Sequence, residues 1–344
     1  MSKRIKIKDI AGRLGLSSTL VSLVLNNKAD QQGIRKDTQE KVLALANQMG
    51  YFEALHEKNE ISPIEEKPGV LGMIVPSLDD PFVIQISQYL HKAFSAIGVG
   101  FSIVTKDPDD QRFDRLIVAF KKFFNGLILL GDTADENTLR ILRSTNYPFI
   151  LLEKSVKSMR VNTVCTDTVA GAQLIVDHIN KLGYKNSVII TNRNSSRDDK
   201  GAIHDITDTM LQKSDLNRPI IVELDKSAGS NEPDFGPIKL LFRPPYRADI
   251  LIIMDARLVY PLMNFIRELK LRVPQDIAVV SMEEGIGFDL MFSPLTCLRK
   301  PLYLMANKVA KMIWVEVKNS GKGKFKRQVN FSPELIIRKS CGTI

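Results

Sequence analysis

The stretch Ile5–Asn26 reads IKIKDIAGRLGLSSTLVSLVLN, and its spacing settles the organisation of the N-terminal end. Ile7, Ile10, Ala11 and Leu14 fall at i, i+3, i+4 and i+7, one face of a helix, and Gly15 supplies the left-handed stop. Ser17 then stands where an N-cap belongs, ahead of a second apolar run in which Val21, Val24 and Leu25 form the inward face. The start of that second helix is unusual: Ser17, Ser18 and Thr19 are three hydroxyl residues in a row. A polar loop leads to DTQEKVLALANQMGY, where Val42, Leu45, Ala46 and Met49 repeat the helical spacing. Two short helices around a glycine turn, closed by a third, form the helix-turn-helix pattern over residues 1–51.

Outward from this unit the composition shifts. Residues 1–51 carry nine Lys/Arg against four Asp/Glu, whereas residues 52–69 carry five acids against two lysines. A basic head on an acidic, proline-containing connector (residues 52–68) implies a polyanionic partner for the head. From residue 69 to 344, short apolar runs such as GVLGMIVP, NGLILLG, PFILLE, NSVIIT, ADILIIMD and DIAVVSM alternate with amphipathic helices. That alternation indicates parallel sheets covered on both faces, and its length suits two doubly wound lobes. The expected fold is a small all-α headpiece plus an α/β core of two parallel-sheet lobes. The first lobe is expected to span about 69–166 plus 292–325, and the second about 167–291 plus 326–344.

With 44% hydrophobic and 25% charged residues in 344, the chain has the make-up of an ordinary water-soluble protein. No apolar stretch reaches membrane-spanning length, and the basic start lacks the apolar core of a secretory leader. Three scattered cysteines, Cys165, Cys297 and Cys341, fit a reducing compartment, so a cytoplasmic location is expected.

The order of these parts resembles the lactose-repressor/galactose-repressor (LacI/GalR) family of bacterial transcription regulators. Residues 5–26 are similar to the family's opening pattern, and QEKVLALANQMGY to its third helix. GVLGMIVPSLDDPF resembles its first core strand and following loop, and DTVAGAQLIVDHINKLGYKN, LRVPQDIAVVSM and FSPELIIRKSC resemble later segments in family order. The resemblance implies a DNA-binding headpiece, a hinge and a periplasmic-binding-protein-like core, acting as a homodimer on a double-stranded DNA operator. By the family's positions, Ser18 and Thr19 would face base edges. Lys6, Ser17, Ser22 and Asn26 would approach phosphates or groove edges, with N-capping an equal alternative for Ser17.

Three departures bear on function. The family's Thr-Val-Ser-Arg is Leu20-Val21-Ser22-Leu23 here, so the arginine able to pair with guanine is replaced by an apolar side chain at Leu23. In the hinge, the residue that wedges into the minor groove falls on Glu60, beside Ile61. A carboxylate there is repelled by the phosphates, so either Ile61 takes the role by a one-residue slip or the hinge does not kink DNA. The family's effector loops are also altered: Asn-Pro-Phe-Phe is Asp80-Pro81-Phe82-Val83, the arginine is displaced to Arg197 with Asp198 in its place, Asn-Asp is Met254-Asp255 and Phe-Asp-Asp is Met282-Glu283-Glu284. Yet as effector positions Asp80, Phe82, Arg197, Asp255 and Glu283 still suit a polyhydroxylated, sugar-like ligand.

No catalytic constellation, cofactor motif or metal-ligand spacing is found; His56, His91, His178 and His204 form no cluster with the cysteines. A periplasmic-type binding protein would need a leader and no helix-turn-helix. A sugar-modifying enzyme would need a nucleophile or an acid/base pair. A repressor with a small-molecule effector is the expected function, with a constitutive DNA binder that has lost effector response as the variant within that class.

Overall fold

The computed structural model describes residues 6–25, 29, 33–49, 69–106, 113–133, 135–156, 160–193, 197–212, 216–225, 233–322 and 327–342. The chain divides into two compact units, residues 1–67 with 96–98, and residues 68–95 with 99–344.

In the first unit, α1 (Ile7–Leu14), α2 (Ser18–Leu25) and α3 (Lys36–Gln48) follow the expected periodicity. The Asp9 carboxylate accepts the Lys6 N–H at 2.6 Å, tying off the start of α1. Gly15 closes α1 with φ +65°, a conformation strained for any residue carrying a Cβ. Ser17 Oγ accepts the Leu20 N–H at 3.2 Å, so this serine caps α2. Ile10, Val21 and Val42 are fully buried together with Val24 and Ala46, and Leu20, Leu25, Leu45 and Met49 pack around them. Each such buried aliphatic chain contributes roughly 1.5–3 kcal/mol.

The second unit contains two six-stranded sheets. The first is built from β1 (Val70–Val75), α4 (Pro81–Ser95), β2 (Gly100–Thr105), α5 (Phe113–Phe123), β3 (Gly126–Leu130), α6 (Glu136–Ser144), β4 (Phe149–Leu152) and β5 (Thr163–Thr166). The chain crosses at Asp167 into the second lobe. There it forms α7 (Thr168–Lys181), β6 (Ser187–Asn192), α8 (Arg197–Leu211), β7 (Ile220–Leu224), β8 (Ile250–Ile253), α9 (Val259–Glu268), β9 (Ala278–Ser281) and β10 (Thr296–Arg299). It returns through Lys300–Pro301 to α10 (Leu302–Lys318) and β11 (Gln328–Phe331), then crosses again to β12 (Glu334–Ile336).

The strand orders are β11-β5-β4-β3-β1-β2 and β12-β10-β9-β8-β6-β7. All pairs in the first sheet are parallel, and β12 is the antiparallel edge of the second. Strands β3, β4, β8 and β9 are buried throughout, which is why they read as unbroken apolar runs.

Two segments lie on the other side of the expected lobe boundaries. Thr296–Arg299, expected in the first lobe, pairs with β9 in the second sheet; Gln328–Phe331, expected in the second, pairs with Thr163–Thr166 in the first. The sequence signal fails here because these strands are four residues long, and β11 alternates exposed and half-buried residues.

Candidate functional site

On α2, Ser18 and Thr19 are exposed, Ser22 and Leu23 are half-buried, and the N-terminal turn presents an unbroken hydroxyl surface. Leu20, Val21, Val24 and Leu25 all engage the core of the unit, whereas Leu23 is absent from it among the described residues. A leucine held off its own core is available for apolar contact. Lys6 is exposed at the start of α1; Asn26 lies outside the described residues.

In the second unit, side chains just beyond the carboxyl ends of strands in both sheets converge. Asp80 caps α4, its Oδ1 accepting the Phe82 N–H at 2.8 Å. Burial, then the neighbouring Glu283 charge, raises the Asp80 carboxyl above its ordinary value, against the pull of the Phe82 N–H, Arg257 and Lys300. Asp255, two residues beyond the end of β8, accepts from Asn192 Nδ2 at 2.7 Å and from Arg257 Nη2 at 2.8 Å. The hydrogen bond to Asp255 is the leading reason that Arg257 is held firmly protonated.

At the centre is Lys300, on the segment that crosses between lobes directly after β10. Its Nζ donates to Glu153 of the first lobe at 2.9 Å and to Glu283 of the second at 2.8 Å. The same ammonium lies 4.5 Å from the centroid of the Phe82 ring. Burial disfavours this charge, but the Glu153 and Glu283 carboxylates outweigh it and push Lys300 above its ordinary value. Glu153 is fixed in turn: its backbone takes φ +52°, and its Oε1 accepts the Thr166 N–H at 2.6 Å. A non-glycine residue in the left-handed region is strained, and such strain concentrates where a side chain must be aimed. Glu284 points elsewhere, to Arg299 and Arg338 at 2.6 and 2.7 Å.

Beside this network opens a cavity of about 290 Å³, lined by Phe82, Tyr89, Glu283, Lys300 and Tyr303 among others. Its volume sits at the small end of the range of about 300–1,000 Å³ for ligand pockets.

Against known proteins, residues 6–53 match the model for bacterial regulatory proteins of the lacI family. Residues 68–204 match the periplasmic binding proteins and sugar binding domain of the LacI family, and residues 176–341 a periplasmic binding protein-like domain. The chain belongs to the LacI family. A curated relative, the HTH-type transcriptional regulator DegA of Bacillus subtilis, is 22% identical over 343 residues, covering 98% of each chain. Among solved structures, a LacI family transcriptional regulator from Enterococcus faecalis with bound ribose superimposes with a TM-score of 0.68 at 15% identity, covering 80% of this chain and 99% of that one. The lac repressor dimer bound to operator and the anti-inducer ONPF gives 0.67 at 18%, covering 98% and 99%.

As a LacI-family chain, it brings four of its five expected effector positions together around Lys300 and Arg257: Asp80, Phe82, Asp255 and Glu283. Arg197 opens α8, but its side chain lies outside the described residues. Met254 and Met282, which directly precede Asp255 and Glu283, are buried in the second-lobe core. Sequence reasoning missed Lys300, Glu153, Arg257 and Asn192. Two of them were within reach, because Asn192 ends β6 and Glu153 directly follows β4, and ligand edges form at the carboxyl ends of parallel strands. Among the described residues no helix is long and apolar enough to cross a membrane.

Proposed function

We propose that this LacI-family chain is a sequence-specific operator-binding repressor, working as a homodimer, whose grip on DNA is set by a small polyhydroxylated molecule held between the lobes. The observation that supports it most is the division of α2 into two faces: Val21 and Val24 close the core, while Ser18, Thr19 and Leu23 stay off it. A recognition helix needs that division, with its first turn entering the major groove. Leu23 offers a thymine methyl an apolar partner where an arginine would select guanine. Lys6, Ser17, Ser22 and Asn26 are assigned to phosphates and groove edges.

Asp80, Phe82, Arg197, Asp255 and Glu283 form the effector site, the carboxylates accepting hydroxyl hydrogen bonds over an aromatic face. Homodimer formation finds support in the segment after β9, where Ile286, Leu290 and Phe292 are 60%, 85% and 62% exposed, a cost that a second copy would remove. The hinge, residues 52–68, lies outside the described residues; with Glu60 at the wedge position it leaves the operator without a sharp central kink.

The experiment is selection of bound duplexes from a random pool at stated salt, with and without neutral sugars. An enriched palindrome supports the reading, and no enrichment in any condition overturns it. A second reading has its own observation: Lys300 already bridges both lobes. On that reading operator binding is constitutive, and no sugar shifts the affinity for the selected palindrome.

A further inference from the structure

Because every strand pair in the first sheet is parallel, the N-terminal ends of six strands gather at one edge, and the C-terminal ends at the other. The two edges carry opposite charge. At the C-terminal edge stand Asp79, Asp80, Asp132, Asp135 and Glu153, and the cations there are paired: Lys106 with Asp135, Lys154 with Asp132, Lys300 with Glu153. At the N-terminal edge the described residues leading into β3, β4, β5 and β11 (121–126, 143–149, 160–163, 318–322 and 327–328) contain no Asp or Glu.

Those segments are rich in cations. Lys121, Lys122, Arg143 and Lys318 occupy the last turns of α5, α6 and α10, where helix dipoles favour positive charge. Dipoles do not account for Arg160, Lys322 and Arg327, which sit on loops. The nearby carboxylate is Glu316, 3% exposed and already accepting Asn162 Nδ2 at 2.8 Å.

The loops close around a cavity of about 370 Å³ lined by Arg143, Asn146, Tyr147, Arg160, Asn162 and Lys322. Arg143, Arg160 and Lys322 are exposed and, among the described residues, form no ion pair. Gly321 holds φ +71°, and a Cβ there would overlap the Asn146 carbonyl, so the turn carrying Lys322 can close onto the opposite loop only with glycine. Three cations facing one polar hollow, with no acid among them, have the chemistry of a phosphate site.

Gly69 lies at this edge directly before β1 and accepts the Gly100 N–H through its carbonyl.

We propose that the N-terminal edge of the first lobe is a second DNA-binding surface, which holds backbone phosphates of the duplex at Arg143, Arg160 and Lys322. The proposal rests on the operator-binding reading and adds to it a contact outside the helix-turn-helix. Each phosphate neutralised contributes about 0.9 to the slope of log affinity against log salt.

The test uses the full-length protein and a random-sequence duplex of about 40 base pairs, roughly four helical turns. Binding is measured across a salt series for wild type, for the triple variant Arg143→Gln/Arg160→Gln/Lys322→Gln, and for single Arg160→Gln. A control of equal charge loss, Lys181→Gln/Lys239→Gln/Lys270→Gln, sits on exposed second-lobe positions. The triple is expected to lower the slope by about two to three, the single by about one, and the control by less than half a unit. An unchanged slope in the triple overturns the proposal, as does an equal fall in the control. Saturable binding of inorganic phosphate, lost in the triple while the DNA slope stays unchanged, also overturns it and makes the hollow a small-anion site. If wild type binds no duplex at all, the operator-binding reading falls first; if it binds and only the slope test fails, the second surface alone falls.

Discussion

The N-terminal face of α2 and the interlobe edge are both assigned to ligands, yet their side chains are held in opposite ways. On α2, Ser18 and Thr19 stand exposed, and Leu23 sits off the core. Between the lobes, Glu153, Glu283 and Asp255 are each already engaged by Lys300, Arg257 or Asn192. The difference separates two kinds of site. A groove-reading helix keeps its polar groups in water and exchanges that water for DNA. A cleft that is charged and half-buried satisfies itself internally, and a ligand must displace part of that network.

The largest effect is expected from removing the cation that the cleft has built around. Lys300→Met leaves Glu153 and Glu283 without their shared ammonium, with Glu283 beside the raised carboxyl of Asp80. Breaking a pair of this kind costs roughly 3–5 kcal/mol. Urea unfolding should show that loss, with partial recovery when Glu283→Gln is added. A loss under about 1 kcal/mol would mean that solvent screens the network and the contrast with α2 is weaker than described.

On the other side, two substitutions in the same helix should separate folding from recognition. Val21→Ala empties part of a fully buried site and should cost about 2 kcal/mol of stability. Leu23→Ala should stay within about 0.5 kcal/mol in the same unfolding measurement while weakening DNA binding. If both variants destabilise alike, Leu23 is a core residue and the face assigned to DNA is mistaken.

A smaller effect tests the cleft through pH. The raised Asp80 carboxyl holds its proton more tightly folded than unfolded. Its contribution to stability is therefore present below the ordinary value of 3.8 and is lost as pH rises through the folded value. Asp80→Asn can still cap α4 and carries no charge. The variant should melt above wild type near neutral pH, with the gap closing on acidification toward pH 4. A gap that is independent of pH would show that Asp80 does not titrate in this way.

Much of the architecture was legible because local signals and tertiary roles agreed. Gly15 and Ser17 mark the turn between α1 and α2 and serve there as stop and cap. Apolar runs such as Gly126–Leu130 become strands buried on both faces. The lobe assignment of β10 and β11 was not legible, since strands of four residues next to crossings at Pro301 and Pro333 carry too little pattern to name their sheet. The network at Lys300 was hidden for another reason. Its partner Glu153 lies 147 residues away, and only the folded placement of the crossing segment beside the end of β4 makes the two neighbours. Sequence pointed to carboxylates at the strand ends but not to the cation that occupies them.

The claim that α2 reads DNA through Leu23 is tested most directly by repeating the duplex selection with Leu23→Arg. An arginine there should pair with guanine in the major groove, a preference worth about 1–3 kcal/mol. The account predicts the same palindrome as wild type with one base pair in each half-site shifted to G·C. An unchanged consensus, or one altered at many positions at once, would contradict it.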